Sequence, residues 1–335
     1  MFQKFIKYFT VFLCLSSVVF SSHDRVCETT GSRLSRYAFR DFHSSTITEK
    51  LEKLEKIRNS NQSKKVRCVL SVDGGGMRGI IPALILQKIE ERTSKPIFEL
   101  FDVFSGTSVG GLITLCLNCP SKDDSTKPSH SAHDIVSIFH KRGQEIFPKK
   151  NSFLNYLTCG VSDLLKNALL EARFSPRPLE NLLREYFENN QLKDSLKPIF
   201  IAAVETTQNQ DPELFLFDSE KAKYDPEENF YMDDVTRATS AATTYFPAAH
   251  ITNVHLQKKS SFADGGLVAN DPSAYVFNQA RRMYPEDIIL VISLGTGASR
   301  TKSIPFNSGQ AQSAGPIIAN TMRMQSQSSD YNMSY

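Results

Sequence analysis

The sequence predicts an α/β fold: a mostly parallel central sheet with helices on both faces. Two observations carry this. From Val66 onward, short β-rich runs alternate with helical ones. The strand runs are continuously apolar rather than alternating, which is the pattern of strands buried on both faces. About two fifths of the 335 residues are hydrophobic, enough for a sizeable core. A chain of this length fits one large domain or two ordinary ones, and the unbroken alternation favours one.

The first segment precedes that pattern. Residues 1–21 read as a secretory signal peptide: Lys4 and Lys7 come before an apolar stretch from Tyr8 to Phe20, too short for a membrane span. Val19 and Ser21 supply small residues before a cut near Ser21, and an uncleaved membrane anchor is the alternative. Export to a periplasmic or extracellular compartment is therefore expected. Cys14 lacks lipobox surroundings. Residues 22–65 form an N-terminal extension with one surface helix in "TITEKLEKLEKIRN". There Thr46 and Glu49 make a capping box, and Leu51, Leu54 and Ile57 share a face.

The domain proper runs over residues 66–335. Strands are expected at 66–72, 101–105, 198–204, 213–217, 260–263 and 287–294. Helices are expected at 80–92, 109–118, 132–144, 162–171, 176–188, 234–244 and 271–283. "PSKDDSTKPSHS" reads as an exposed loop, and Asp271-Pro272 as the N-cap and first position of the last helix. The tail begins as a helix candidate and ends polar.

Charge excludes one class of partner. A net +3 without a Lys/Arg block or an RNA-binding aromatic motif gives no case for nucleic acid. Cys27, Cys68, Cys116, Cys119 and Cys159 remain after the leader, an odd number. Cys116 and Cys119 form a C-x-x-C with no second pair and no histidine at ligand spacing, so buried thiols on a helix are expected and a zinc site is not.

The chemistry-bearing segments are three. "VLSVDGGGMRGIIPAL" runs from strand to helix through Gly74, Gly75, Gly76 and Gly79. That pattern suits a phosphate-cradling loop or an oxyanion hole, because both need bare backbone N–H groups. "FDVFSGTSVGGLITL" contains G-x-S-x-G, Gly106 to Gly110, between an apolar strand and an apolar helix. In that context Ser108 sits on a tight strained turn with its Oγ exposed, and glycine is required two residues to either side. The bland alternative is a glycine-rich turn capped by Ser108. "DGGLVANDP" places Asp264 on a turn before Gly265 and Gly266. A triad in the order Ser, acid, His cannot be completed around Asp264, because all seven histidines precede it. An upstream histidine serves, or the carboxylate takes the serine proton directly.

In combination and in this order, "DGGGMRGI", "FDVFSGTSVGGL" and "DGG" resemble the patatin-like phospholipase family. "RATSAATTYFPAAHI" and "VISLGTG" extend the resemblance from about Val66 to the C-terminus. The resemblance implies a three-layer α/β fold, with Ser108 as nucleophile, Asp264 as its base and no histidine. It implies Gly74, Gly75 and Gly76 as the oxyanion hole. Gly79, Gly106, Gly110, Gly265 and Gly266 support these motifs. It also implies hydrolysis of acyl esters in phospholipids or other lipids at a membrane or micelle surface, with no metal or organic cofactor. Arg78 is expected to orient the glycine loop or to meet lipid phosphate; a solvent-facing charge is the alternative. Plant-type members continue several tens of residues beyond the segment similar to "MRMQSQSSDYNMSY", so a shortened C-terminus is an open expectation. Two rivals remain at this level. A Rossmann-type nucleotide site would use Gly74-x-Gly76-x-x-Gly79, and a non-catalytic lipid-binding member would share the fold.

Overall fold

A computed structural model describes residues 18–20, 65–146, 175–206, 211–243, 245–255 and 259–297. The expected helices at 46–59 and 162–171, the tail, Cys14, Cys27, Cys159, His23 and His43 lie outside them. So does most of the expected leader.

The strands are β1 (Val18–Phe20), β2 (Val66–Val72), β3 (Val103–Thr107), β4 (Ile199–Glu205), β5 (Glu213–Asp218), β6 (Ala249–Thr252), β7 (Lys259–Asp264) and β8 (Ile288–Leu294). The helices are α1 (Ile80–Thr93), α2 (Ile97–Leu100), α3 (Val109–Cys116), α4 (Ala132–Ile146), α5 (Arg177–Phe187), α6 (Ser219–Ala222), α7 (Met232–Thr239) and α8 (Ser273–Met283). The sheet order is β1-β8-β2-β3-β4-β7-β6, with β5 also paired to β4.

The α/β class stands, with a mixed sheet. β8, β2, β3 and β4 are mutually parallel. β1, β5, β6 and β7 join antiparallel. Apolar runs report burial and not direction, so the reversal of the outer strands is not written in their patterning. Along the parallel strands the side chains alternate between two packed faces. Cys68, Leu70 and Val72 of β2 face the large core under α1, α3, α4, α5 and α7. Val69, with Val103, Phe200, Ile289 and Val291, faces a smaller core under Val276 and Ala280 of α8. Both faces are therefore dry, which explains why these strands read as unbroken hydrophobic runs.

β6 and α2 escape the sequence reading because each is only four residues long. β6 does alternate, with Ala249 and Ile251 buried around exposed His250. α8 starts at Ser273, one residue later than expected, yet the Asp271 carboxylate accepts from the Ser273 N–H at 2.9 Å. The N-cap position itself is Pro272, so Asp271, expected there, stands one residue before it. Cys116 and Cys119 are buried free thiols, and Cys119 lies just beyond α3 and accepts from Asn190 Nδ2. Among the described residues no helix is long and apolar enough to cross a membrane.

One arrangement positions everything that follows. β4 pairs with β3 through Ile199–Ala202 and with β7 through Ala203–Glu205, while β5 runs along Phe200–Glu205. Because β5 overlaps both stretches, it occupies one edge of β4, and β3 and β7 share the other. They meet there end to end: Thr107 pairs with Ala202, and Asp264 pairs with Ala203.

The turn after β3 is compact. A Cβ at Gly110 would run into the Val72 carbonyl, and one at Gly106 into the backbone of Gly110. Glycine lets α3 start directly against β2 and β3. Gly110→Ala should therefore force α3 away from the sheet and cost about 1–3 kcal/mol. A melting curve unchanged from wild type would contradict this packing.

Candidate active site

Three loops converge at the carboxyl ends of the parallel strands, the usual location of sites in such sheets. They are the glycine loop after β2, the elbow after β3 and the Gly-Thr-Gly turn after β8. The end of antiparallel β7 joins them through the β4 junction.

Ser108 has φ 54° and ψ −123°, a strained backbone for a residue with a side chain. From Val103 to Pro120 it is the one residue that is not buried. Its Oγ donates to Asp264 Oδ2 at 2.7 Å. The other carboxylate oxygen of Asp264 accepts from the Gly266 N–H at 2.7 Å. Asp264 is 1% exposed. Loss of solvent lifts its pKa to about 6, with the Gly266 and Ser108 hydrogen bonds pulling the other way. Among the described residues, no charged side chain contributes to this shift. The described histidines make no hydrogen bond to Ser108 or Asp264 among the described residues.

The glycine loop borders this pair: a Cβ at Gly74 would come 3.4 Å from Ser108 Cβ. Its three glycines are not equivalent. The Gly74 N–H donates to the Asn270 carbonyl at 3.0 Å. Among the described residues, the N–H groups of Gly75 and Gly76 have no acceptor. The loop is held from the β8 side, where Thr296 Oγ1 donates to the Gly74 carbonyl at 2.8 Å. Arg78 donates from Nη1 to Gly297 O at 3.0 Å and from Nε to Gly75 O at 3.4 Å. Its head group thus ties the glycine loop to the turn after β8. Gly79 packs on Val109 and Gly265 on the Ala202 carbonyl.

Several contributors carry no signal of their own in the sequence. Thr239 Oγ1 accepts from the Ser108 N–H at 2.7 Å, and the Ala241 carbonyl accepts from the Asp264 N–H at 3.0 Å. Both lie in "RATSAATTYFPAAHI", whose likeness to the family marks the segment without naming these atoms. Buried Arg237 anchors that segment by donating to Glu180 and to the Pro247 carbonyl. Asn270 and Thr296 act through the turns that follow β7 and β8. Only the parallel pairing of β8 with β2 would have revealed that Thr296 and Gly74 are neighbours.

A Patatin-like phospholipase family model matches residues 70–277, a span that contains both Ser108 and Asp264. This chain belongs to the patatin-like phospholipase family. Patatin-like protein 2 of Oryza sativa subsp. indica is 31% identical over 233 residues, covering 67% of this chain and 55% of its own length. "Probable inactive patatin-3-Kuras 1" of Solanum tuberosum is 28% identical over 291 residues, 80% of this chain and 72% of that protein. This chain thus spans little more than half of the first of these relatives. The crystal structure of the type III effector protein ExoU overlaps 80% of this chain and 53% of its own at a TM-score of 0.31 and 11% identity, too loose a likeness to argue from.

Burial of Asp264 has a thermodynamic consequence. Its folded pKa of about 6 exceeds the ordinary carboxylate value near 3.9, so ionisation opposes folding above pH 6. The penalty shrinks as pH falls from 6 to 4 and is absent below. Asp264→Asn should therefore melt higher than wild type at pH 7.5, by up to about 3 kcal/mol at 1.36 kcal/mol per pKa unit. The gain should vanish near pH 4, and a gain independent of pH would refute this origin.

Proposed function

We propose that this chain is a lipid acyl hydrolase, of the phospholipase A or non-specific esterase type, acting through Ser108 and Asp264. The observation that carries the reading is the 2.7 Å hydrogen bond between the one accessible residue of the elbow and a buried carboxylate. In this mechanism Asp264 accepts the Ser108 proton as Oγ attacks a fatty-acyl carbonyl. The tetrahedral oxyanion is met by the N–H groups of Gly75 and Gly76 and by the N-terminus of α3, which has no side-chain cap. Collapse expels the alcohol, protonated by Asp264, and leaves an acyl ester on Ser108. Water deprotonated by Asp264 attacks that ester, and the fatty acid leaves as Ser108 regains its proton. Gly74 supports the loop from behind, since its own N–H is engaged by Asn270.

Desolvation suits Asp264 to the task. An ordinary carboxylate is a weak base, and a pKa near 6 brings it closer to neutral pH. A lipid surface as partner is supported by exposed Met77, Ile81 and Leu84, which follow the glycine loop at one-turn spacing, and by exposed Val268 beyond the Asp264 turn. A nucleotide site has less support, because the Gly74 N–H is occupied and Ser108 borders the loop. A non-catalytic lipid-binding role is the second reading; that the Solanum tuberosum relative is named a probable inactive patatin favours its non-catalytic part.

Ser108→Ala should abolish fatty-acid release from phospholipid with a nearly unchanged melt, and Asp264→Asn should do the same to the rate. A fluorophosphonate probe should label Ser108 alone. A well-folded wild-type protein inert toward the probe and toward esters would establish the second reading. Asp264 acts as base only when ionised, so kcat/KM should fall as pH drops through about 6. A rate constant from pH 4 to 8 would exclude it as the base. Export is part of the same proposal: N-terminal sequencing of secreted protein should begin at about Ser22, and recovery starting at Met1 would indicate an uncleaved anchor.

A further inference from the structure

We infer that Thr239 is a positioning residue for the nucleophile: its hydroxyl fixes the Ser108 backbone to β4 so that Oγ meets Asp264. The inference rests on the reading of Ser108 as nucleophile. Thr239 is the last residue of α7 and is fully buried. Its Oγ1 donates to the Ala202 carbonyl at 2.6 Å and accepts from the Ser108 N–H at 2.7 Å. The single hydroxyl proton is committed to Ala202, which turns a lone pair toward Ser108 and gives the bridge one direction only. The methyl group is also confined, because Gly111 of α3 leaves just the room that Cγ2 occupies.

The place of the bridge matters more than its strength. Ala202 is the β4 residue at which pairing with β3 ends, and its neighbour Ala203 pairs with Asp264. Thr239 therefore pins the elbow to the junction that also carries the carboxylate. Two residues on, the Ala241 carbonyl accepts the Asp264 N–H at 3.0 Å. One short segment, Thr239–Ala241, thus grips both members of the pair, one through a side chain and the other through a carbonyl. Ser108 adopts a positive φ that a non-glycine residue leaves when it can. Without the hydroxyl, the Ser108 N–H would lose this acceptor and the Ala202 carbonyl this donor, and relaxation of the elbow would carry Oγ away from Asp264.

The test compares Thr239→Val, which keeps the shape and removes the hydroxyl, with Thr239→Ser, which keeps the hydroxyl and removes the methyl. Hydrolysis of a soluble p-nitrophenyl acyl ester is measured on the full chain, with Ser108→Ala alongside. Thr239→Val should lose on the order of 100-fold in kcat, the effect of a misplacement near 1 Å. KM should stay close to wild type, and Thr239→Ser should recover most of the rate. Ile135→Val, a core change on α4 chosen to match the fall in melting temperature, should keep wild-type kcat. Wild-type kcat in Thr239→Val, with Ser108→Ala inactive, overturns the positioning role and leaves the nucleophile standing. Equal losses in the serine variant and in the stability-matched control also overturn it. Activity retained in Ser108→Ala removes the nucleophile itself and the inference with it. If Thr239→Val does not fold, Thr239→Ser against Thr239→Ala decides: a higher kcat for serine supports the role, and equal rates refute it.

Discussion

The site depends on one edge of β4. A strand running with β4 and a strand running against it abut there, so the residue that leaves one and the residue that ends the other are placed side by side. A parallel strand alone would present Ser108 to solvent with nothing to take its proton. An antiparallel strand alone would bury Asp264 with nothing to activate. The hydrogen-bond ladder places both at once, because Thr107, just before Ser108, and Asp264 are registered against adjacent residues of the same third strand. The remaining groups refine that placement: Gly106 and Gly110 let the chain turn, Thr239 and Ala241 hold the two backbones, and Arg78 steadies the glycine loop.

The electrostatics follow from the same geometry. Asp264 is deep because it belongs to the sheet and not to a surface loop. Depth removes water, and among the described residues the direct compensation comes from two neutral donors, the Gly266 N–H and the Ser108 hydroxyl. A charged partner would hold the carboxyl ionised but blunt it as a base. Neutral donors leave it more basic than an exposed aspartate, and the fold carries the cost of burying it. This is a trade of stability for reactivity of the kind expected at functional sites.

How much of this is legible in the sequence depends on distance along the chain. The strained elbow is readable because its cause is local: a strand, a serine between two glycines, and a helix within 15 residues. The α/β class is readable because dry faces leave apolar runs. The direction of β7 leaves no such trace, so the sheet reads as more parallel than it is. The pairing of Ser108 with Asp264 spans 156 positions and follows from the family resemblance rather than from any periodicity. The glycine run looks uniform on paper, yet Gly74 differs from Gly75 and Gly76 because Asn270 lies nearly 200 residues away and takes its N–H. Thr239 is invisible for the same reason, being an ordinary helix-end threonine until β4 and the elbow are brought to it.

The abutment of β3 and β7 also bears on how the chain acquires activity. Ser108 and Asp264 come from segments that meet on a strand to which neither belongs, and closing that three-way contact requires widely separated segments to have found their register. Contacts of such long range form late and slowly. A chain folded only as far as β4 would lack both Asp264 and the Thr239 hydroxyl that holds the Ser108 backbone. On the proposed function, hydrolytic competence would arrive only once β7 has closed on β4. A chain that has not yet closed this contact carries, on the same reading, a serine without its base.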